Sequence, residues 1–502
     1  MIDRLRNSPS AVDLSRILAY VGLAVLAVLV GKAVVANILE GYLILAICIV
    51  FAAMPFADSL AVAVFWTLPY MVVNLPTGAF TLKLPEAVAY TFTTAYLLRQ
   101  VLQRQPIRFP PATAQVIVYL AVICLSIAAA PAIPIPFAGP ATGMDRNGPN
   151  IRPISLFIWL GLSWLVVVAL YNKVGKDSGI FARCVRAHIL GGGLASAISL
   201  GIYVLALGGL SLRDVAGSGS IRNLAVNNAG VIRLAGVAYE PLFLGFYLIT
   251  VIPITLMAVV NGPATISRKW SVICLALQSI AMVLTFSSGG WAGLAVALIA
   301  MAPFCRWERV PKKLKKGMVT AVIVAICAFL LTVLLNTKLF LMVGYMATKI
   351  TQGNDIYRQR EWNVAKDLSQ RFPLLGCGPG LANFYFPKYH ELVNSVPLVG
   401  VIEINSVFFN AIAETGFLGL IAIGWCTLTG LGRLLTSIRC AGPQRCPTLV
   451  ALTASLLGCF VQYISVNPLF LIYFSALVGL STAAAYRTDI DDKPDPLLAV
   501  VA

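Results

Sequence analysis

Charge is scarce in this chain. Only 11% of its 502 residues are Asp, Glu, Lys or Arg, where a soluble domain carries about 25%. Mean hydropathy is +0.87. That scarcity excludes an ordinary soluble domain. Histidine is nearly absent as well. His188 and His390 are the only two, too few for a zinc site. The eleven cysteines are scattered through apolar runs and inner loops, with Cys377 alone in an outside segment. Thiols on the cytoplasmic side stay reduced, so no structural disulfide is expected. No cleavable leader is expected either. The first apolar run starts near Arg16 and passes Lys32 without an A-x-A-like exit, and it reads as a retained first span.

What the chain has in abundance is apolar runs of about 20 residues, the length that crosses a bilayer as helix. Hydropathy assigns fourteen of them: 17–36, 40–56, 57–74, 84–101, 112–132, 154–172, 187–209, 236–260, 270–286, 290–304, 317–336, 406–430, 447–465 and 467–486. The expected fold is all-α, a polytopic transmembrane bundle of about 12–14 spans with one large outside loop domain. The division is 1–230 for the N-terminal spans, 231–336 for the central spans, 337–405 for the large loop, 406–486 for the C-terminal spans and 487–502 for a tail. The excess of 37 basic over 20 acidic residues is a topology signal. Arg99, Arg104, Arg108, Lys173, Lys176, Arg183, Arg186, Arg268, Lys269, the cluster 306–316 and Arg433, Arg439 and Arg445 all fall on alternate loops. By the positive-inside rule those loops are cytoplasmic. An even number of spans then puts both termini inside. No nucleic-acid partner is needed to explain the charge.

The long outside segment breaks that bias. It carries Lys338, Lys349, Arg358, Arg360, Lys366, Arg371 and Lys388. A solvated domain with ordinary surface charge is the plain reading; a cationic cover for a polyanionic substrate is the sharper one. Within "DIYRQREWNVAKDLSQRFPLLGCGPG", Asn354 or Asp355 can cap a helix. Apolar residues recur at Tyr357, Val364, Ala365, Leu368 and Phe372, a helical spacing. Pro373 disfavours continuing past Phe372. One amphipathic helix of about 16 residues is expected near the membrane surface. Arg358, Trp362 and Lys366 share one of its faces, Arg360 and Asp367 another. Gly376, Gly378 and Gly380 allow a tight turn whose backbone N–H groups could meet an anion; a simple turn is the alternative.

Two further stretches stand out. "VIRLAGVAYEPLFLGFYL" places Arg233 at the outer mouth of a span and Glu240 inside it, about two turns deeper. An ionisable residue within a span is a functional candidate by default, with a structural ion pair as the alternative. "LTFSSGGWAGL" sets small residues between two apolar runs, which suits a close helix contact or a broken helix.

In this order the arginine-led span, the "TFSSGGW" pair, the loop "RQREW" leading to "FPLLGCGPG" and the span-opening "EINSVFFNAIAETGFLGL" resemble the O-antigen ligase and O-antigen polymerase superfamily of bacterial envelopes. The resemblance covers about 231–420. It implies a metal-independent, cofactor-free glycosyl transfer on the periplasmic face of the inner membrane. The donor would be a polyprenyl-pyrophosphate-linked oligosaccharide. The acceptor would be a second carrier-linked repeat unit in a polymerase or the lipid A core in a ligase. A chain-length regulator is left open as a partner beside membrane lipid. Arg233 matches the arginine that opens the family's central span and Arg360 the loop arginine before the tryptophan. The three glycines match the turn, and Glu414 and Gly416 match the acid and glycine of the next span. Two positions depart. Where ligases often show histidine before asparagine, the chain reads Glu403-Ile404-Asn405, and Ser287-Ser288-Gly289 replaces "SRG". The first departure favours a polymerase over a ligase.

Breaking a sugar–pyrophosphate bond develops charge on the leaving phosphate. Arginine stays charged and grips phosphate through two hydrogen bonds. Arg233 and Arg360 are therefore the expected catalytic cations, with Arg222 and Arg358 as helpers. Glu403 is the first candidate to position or deprotonate the acceptor hydroxyl, followed by Glu240, Asp355 and His390. Tyr357 and Trp362 could stack on sugars or belong to the buried core of the loop, and Asn405 lines the same mouth. A transporter or flippase is the rival from another class. Transporters often carry matching halves, and no repeat relates 1–250 to 251–502.

Overall fold

A computed structural model describes residues 49–76, 81–130, 151–207, 233–238, 240–261, 266–305, 316, 356–385, 404–441, 447–467 and 472–490. These residues form twelve α-helices and one short hairpin. The helices are α1 (Ala57–Thr67), α2 (Leu84–Leu102), α3 (Thr113–Ala129), α4 (Arg152–Lys176), α5 (Ser178–Leu207), α6 (Pro241–Asn261), α7 (Arg268–Leu284), α8 (Ser288–Met301), α9 (Ile356–Arg371), α10 (Val407–Ala441), α11 (Pro447–Gln462) and α12 (Ile472–Ile490). Five helical stretches are long and apolar enough to cross a membrane. The all-α polytopic class expected from hydropathy is thus observed. The expected spans at 17–36 and 317–336 lie outside the described residues.

Three boundaries differ from the hydropathy reading. The division at 56/57 is absent, because one helical stretch runs Ile49–Thr67. Pro55 tightens it into a 3₁₀ turn at Met54–Phe56 and leaves it unbroken, although a proline removes one helical hydrogen bond. The segment 75–83 is a hairpin rather than a plain loop: β1 (Asn74–Pro76) pairs antiparallel with β2 (Thr81–Lys83). The third difference concerns Glu240. Residues 233–238 and Glu240 are not α-helical. Gly236 adopts φ +53 in a 3₁₀ turn at Gly236–Ala238, and α6 begins only at Pro241, where proline is pre-set for a first helical residue. Glu240 therefore sits at the N-terminal end of the span, not two turns inside it. There the helix dipole favours a carboxylate.

α6 is the centre of the bundle. Apart from its first turn nearly all of its side chains are buried, and α5, α7, α8, α11 and α12 pack around it. His188 of α5 lies in this core. Its Nε2 is 3.2 Å from the Thr250 carbonyl and from Thr250 Oγ1, between the rings of Phe65 and Tyr247.

Loop contacts sort into two ends. At one end Lys173 pairs with Asp58. Asn172 exchanges hydrogen bonds with the Arg108 backbone, Arg108 lies over Tyr486 and Arg487 over Phe181. Lys173, Arg108 and Phe181 come from the segments whose basic residues mark one end of the bundle. At the other end Val72 N–H donates to Val237, Leu234 to Leu284 and Val407 to Tyr463. Hydropathy, the basic-loop pattern and packing agree on which ends lie together.

Candidate functional site

The candidate site is at the end opposite the basic loops, where α9 lies against α10. α9 covers Ile356–Arg371, 16 residues, and stops before Pro373 as its sequence requires. Val364, Ala365 and Leu368 are fully buried. Glu361 is on the same stripe and only 3% exposed. Its carboxylate accepts the Asn405 backbone N–H at 3.0 Å and Asn405 Nδ2 at 2.9 Å. This two-point clamp joins the loop helix to the start of α10. A buried carboxylate needs such partners. Glu361 was not among the sequence candidates, although carrying the Val364–Ala365–Leu368 stripe one turn back reaches position 361.

Beyond Pro373 the chain docks backbone to backbone on α10. Cys377 N–H donates to Ala413 O at 2.9 Å and Gly378 N–H to Glu414 O at 3.0 Å. In return Phe417 N–H donates to Pro373 O at 2.8 Å and Leu418 N–H to Leu374 O at 3.3 Å. The exchange is possible because α10 is broken at Gly416, with φ 65 and ψ −165, which frees carbonyls and N–H groups on both sides of the break. A Cβ on Gly376 would lie 2.3 Å from the Glu414 carbonyl carbon, and one on Gly416 2.3 Å from Leu374 O. Ser126 Oγ on α3 donates to Leu375 O at 2.6 Å and sits 2.9 Å from Glu414 O. Asn410 Nδ2 donates to Glu414 Oε2 at 2.9 Å. The Gly376 N–H donates to Phe372 O, so the amides of 376–378 all serve the fold. Gly376, Gly378 and Gly380 all have positive φ. Cys377 is buried in this junction. Burial, and then the Glu414 charge, push its thiol well above the usual range, so it stays a protonated, inert thiol.

Between α9 and α10 runs a groove of about 380 Å³. Trp362, Lys366 and Ser369 line it from α9, and Phe409, Ile412 and Leu420 from α10. Trp362 lies 5.3 Å from Phe409, ring to ring, and is 41% exposed. The groove has an apolar floor and an aromatic, cationic rim.

Arg233 is placed elsewhere on the same end. Its Nε donates to Thr285 O and its Nη2 to Phe286 O, both at 3.0 Å. Those carbonyls close α7 at a sharp break where Phe286 has φ +46, before Ser287 caps α8 by accepting the Gly290 N–H. The "TFSSGGW" stretch is thus a broken helix pair, held at the break by Arg233. The bonds use two of the guanidinium's five N–H donors. Burial lowers its pKa from the ordinary value, and the Glu240 carboxylate acts the other way. A chain of contacts leads from this break to α9. Gln462 Nε2 donates to Leu242 O, Tyr463 O accepts from Val407, and Asn405 binds Glu361.

The backbones of Tyr357, Arg358 and Arg360 fall in the first turns of α9. Arg222 and Glu403 lie outside the described residues, as do Asp355 and His390.

The fold and site define a multi-pass helical membrane protein with a junction built on a loop helix docked into a broken span. Residues 273–424 match the family model described as O-antigen ligase, which supports the O-antigen ligase and polymerase superfamily for this chain. The match takes in the α7–α8 break, α9, the glycine junction and the first half of α10. It starts after Arg233 and Glu240, so the resemblance in the sequence extended further toward the N-terminus than the matched region does. Comparison with curated proteins finds no match.

Proposed function

We propose that the protein is an inner-membrane polysaccharide polymerase that joins polyprenyl-pyrophosphate-linked repeat units on the periplasmic face. The observation that carries this reading is the groove between α9 and α10. A carrier-linked glycan has a hydrocarbon tail, a diphosphate and sugars in series. The groove offers an apolar floor along α10 from Phe409 to Leu420 and a cation with an aromatic ring, Lys366 and Trp362, at its rim. Arg358 stands one turn before Trp362 on α9.

In this reading the diphosphate meets the α9 cations, with Arg358 and Arg360 as donors. Guanidinium donors held ahead of the reaction stabilise the charge that develops on the leaving group. The acceptor hydroxyl attacks the anomeric carbon of the donor sugar. The bond from that carbon to the phosphate oxygen breaks, polyprenyl pyrophosphate leaves, and the hydroxyl proton passes to a carboxylate. Glu403 and Glu240 are the candidates for that proton. Glu240 gains standing because it sits at the outer end of α6. Arg233 acts by fixing the α7–α8 break. Asn405 and the three glycines set the position of α9 over the groove.

The test is a transfer assay on purified protein with carrier-linked repeat units. A ladder of lengthening carrier-linked chains is expected. Transfer of preformed chains to lipid A core, without lengthening, would make the protein a ligase. Movement of intact carrier-linked units across a vesicle membrane without any new glycosidic bond would make it a flippase.

A further inference from the structure

A second, larger cavity of about 420 Å³ lies inside the bundle, on the side away from the groove. α3, α4, α12 and α10 close around it, each packed on the next, with α11 behind. On α12 its wall runs from Phe474 to Tyr486, twelve residues or about 18 Å of helix. A largely apolar cleft of that length can take one hydrocarbon chain along it. Its deep end is lined by Leu456, Phe460 and Phe474.

The other end is chemically different. Tyr171 and Tyr486 face each other there at 5.3 Å, and the exposed Arg433 completes the wall. Arg108 lies over the Tyr486 ring at 5.3 Å. Lys176 is exposed and within electrostatic reach of Arg108 and Lys173. Arg108 lies in a loop, and Tyr171, Lys176, Arg433 and Tyr486 on helix ends, that the basic-loop pattern assigns to the cytoplasmic side. The cavity is therefore an apolar tube with a cationic mouth at the cytoplasmic leaflet. Basic pockets between spans on that side suit anionic lipid head groups.

We propose that this cavity holds one acyl chain of an anionic phospholipid of the cytoplasmic leaflet, with its phosphate at Arg433 and Arg108. The site is separate from the proposed donor groove, whose rim is at the opposite end of the bundle, and it stands whether or not the polymerase reading does.

The test uses full-length protein in nanodiscs of phosphatidylglycerol and phosphatidylethanolamine, with lipids retained after extraction counted by native mass spectrometry. Gly430 lines the cavity, and a Cβ there meets nothing within 4 Å. Gly430→Phe fills the tube without a clash at Cβ. Wild-type protein should retain about one phosphatidylglycerol, and Gly430→Phe should lower that occupancy about tenfold. Arg433→Gln keeps the tube and should erase the preference for phosphatidylglycerol over phosphatidylethanolamine by about tenfold. Unchanged phosphatidylglycerol in Gly430→Phe, equal retention of both lipids by wild type, or polyprenyl phosphate in place of phospholipid would each overturn the proposal. Should Gly430→Phe fail to fold, the Arg433→Gln comparison decides alone.

Discussion

Gly376→Ala is expected to detach the loop from α10, destabilise the protein by at least about 3 kcal/mol and abolish transfer. Two costs combine. The first is conformational: φ at Gly376 is +68, and a side chain in that region costs about 1–2 kcal/mol. The second is steric. The new methyl would stand 2.3 Å from the Glu414 carbonyl carbon and 2.5 Å from the Thr415 nitrogen. Both are backbone atoms that cannot swing aside. Relief requires breaking the paired hydrogen bonds between 373–378 and 413–418. Differential thermal unfolding and limited proteolysis of 372–385 would read the change. Gly161→Ala in α4 is the control, since a Cβ there meets nothing within 4 Å; it should be neutral or stabilising by about 0.5–1 kcal/mol.

The second large effect is on chemistry alone. Arg360→Ala should lower turnover by about 10²–10³-fold with little loss of stability. Alanine is the best helix former, so α9 survives the change. The loss should appear in kcat more than in KM, because a donor aimed at the leaving diphosphate matters most as charge develops. Arg360→Lys restores the charge without the two-pronged grip and should recover only part of the rate. Full activity in Arg360→Ala would remove this arginine from the reaction.

The parts of the structure that rest on local rules were legible in the sequence. The spacing of Val364, Ala365 and Leu368 and the stop at Phe372-Pro373 define α9 to its last turn. The basic loops define which ends of the helices lie together. Contacts made through space were not legible. Gly376, Gly378 and Gly380 read as a tight turn, either simple or open to an anion. Their use as a backbone junction depends on the break at Gly416, forty residues away, which no local pattern announces. Glu240 was placed inside a span because hydropathy averages over a window, whereas Gly236 and Pro241 set the true start of α6. The bonds from Arg233 to the carbonyls of Thr285 and Phe286 were not legible, because those carbonyls come free only once α7 has ended. Glu361 was passed over because a charged residue on an amphipathic helix reads as surface until its clamp with Asn405 is seen.

The central claim is that α9 and its cations lie outside the cytoplasmic membrane, above the groove on α10. Gln370 is exposed on the last turn of α9, and Gln370→Cys gives a reporter there, with the exposed Cys440 at the opposite end of α10 as the inner reference. A membrane-impermeant maleimide added to cells with a permeabilised outer envelope should label position 370 and spare Cys440. Labelling of position 370 only after the inner membrane is broken would place α9 in the cytosol and contradict the account.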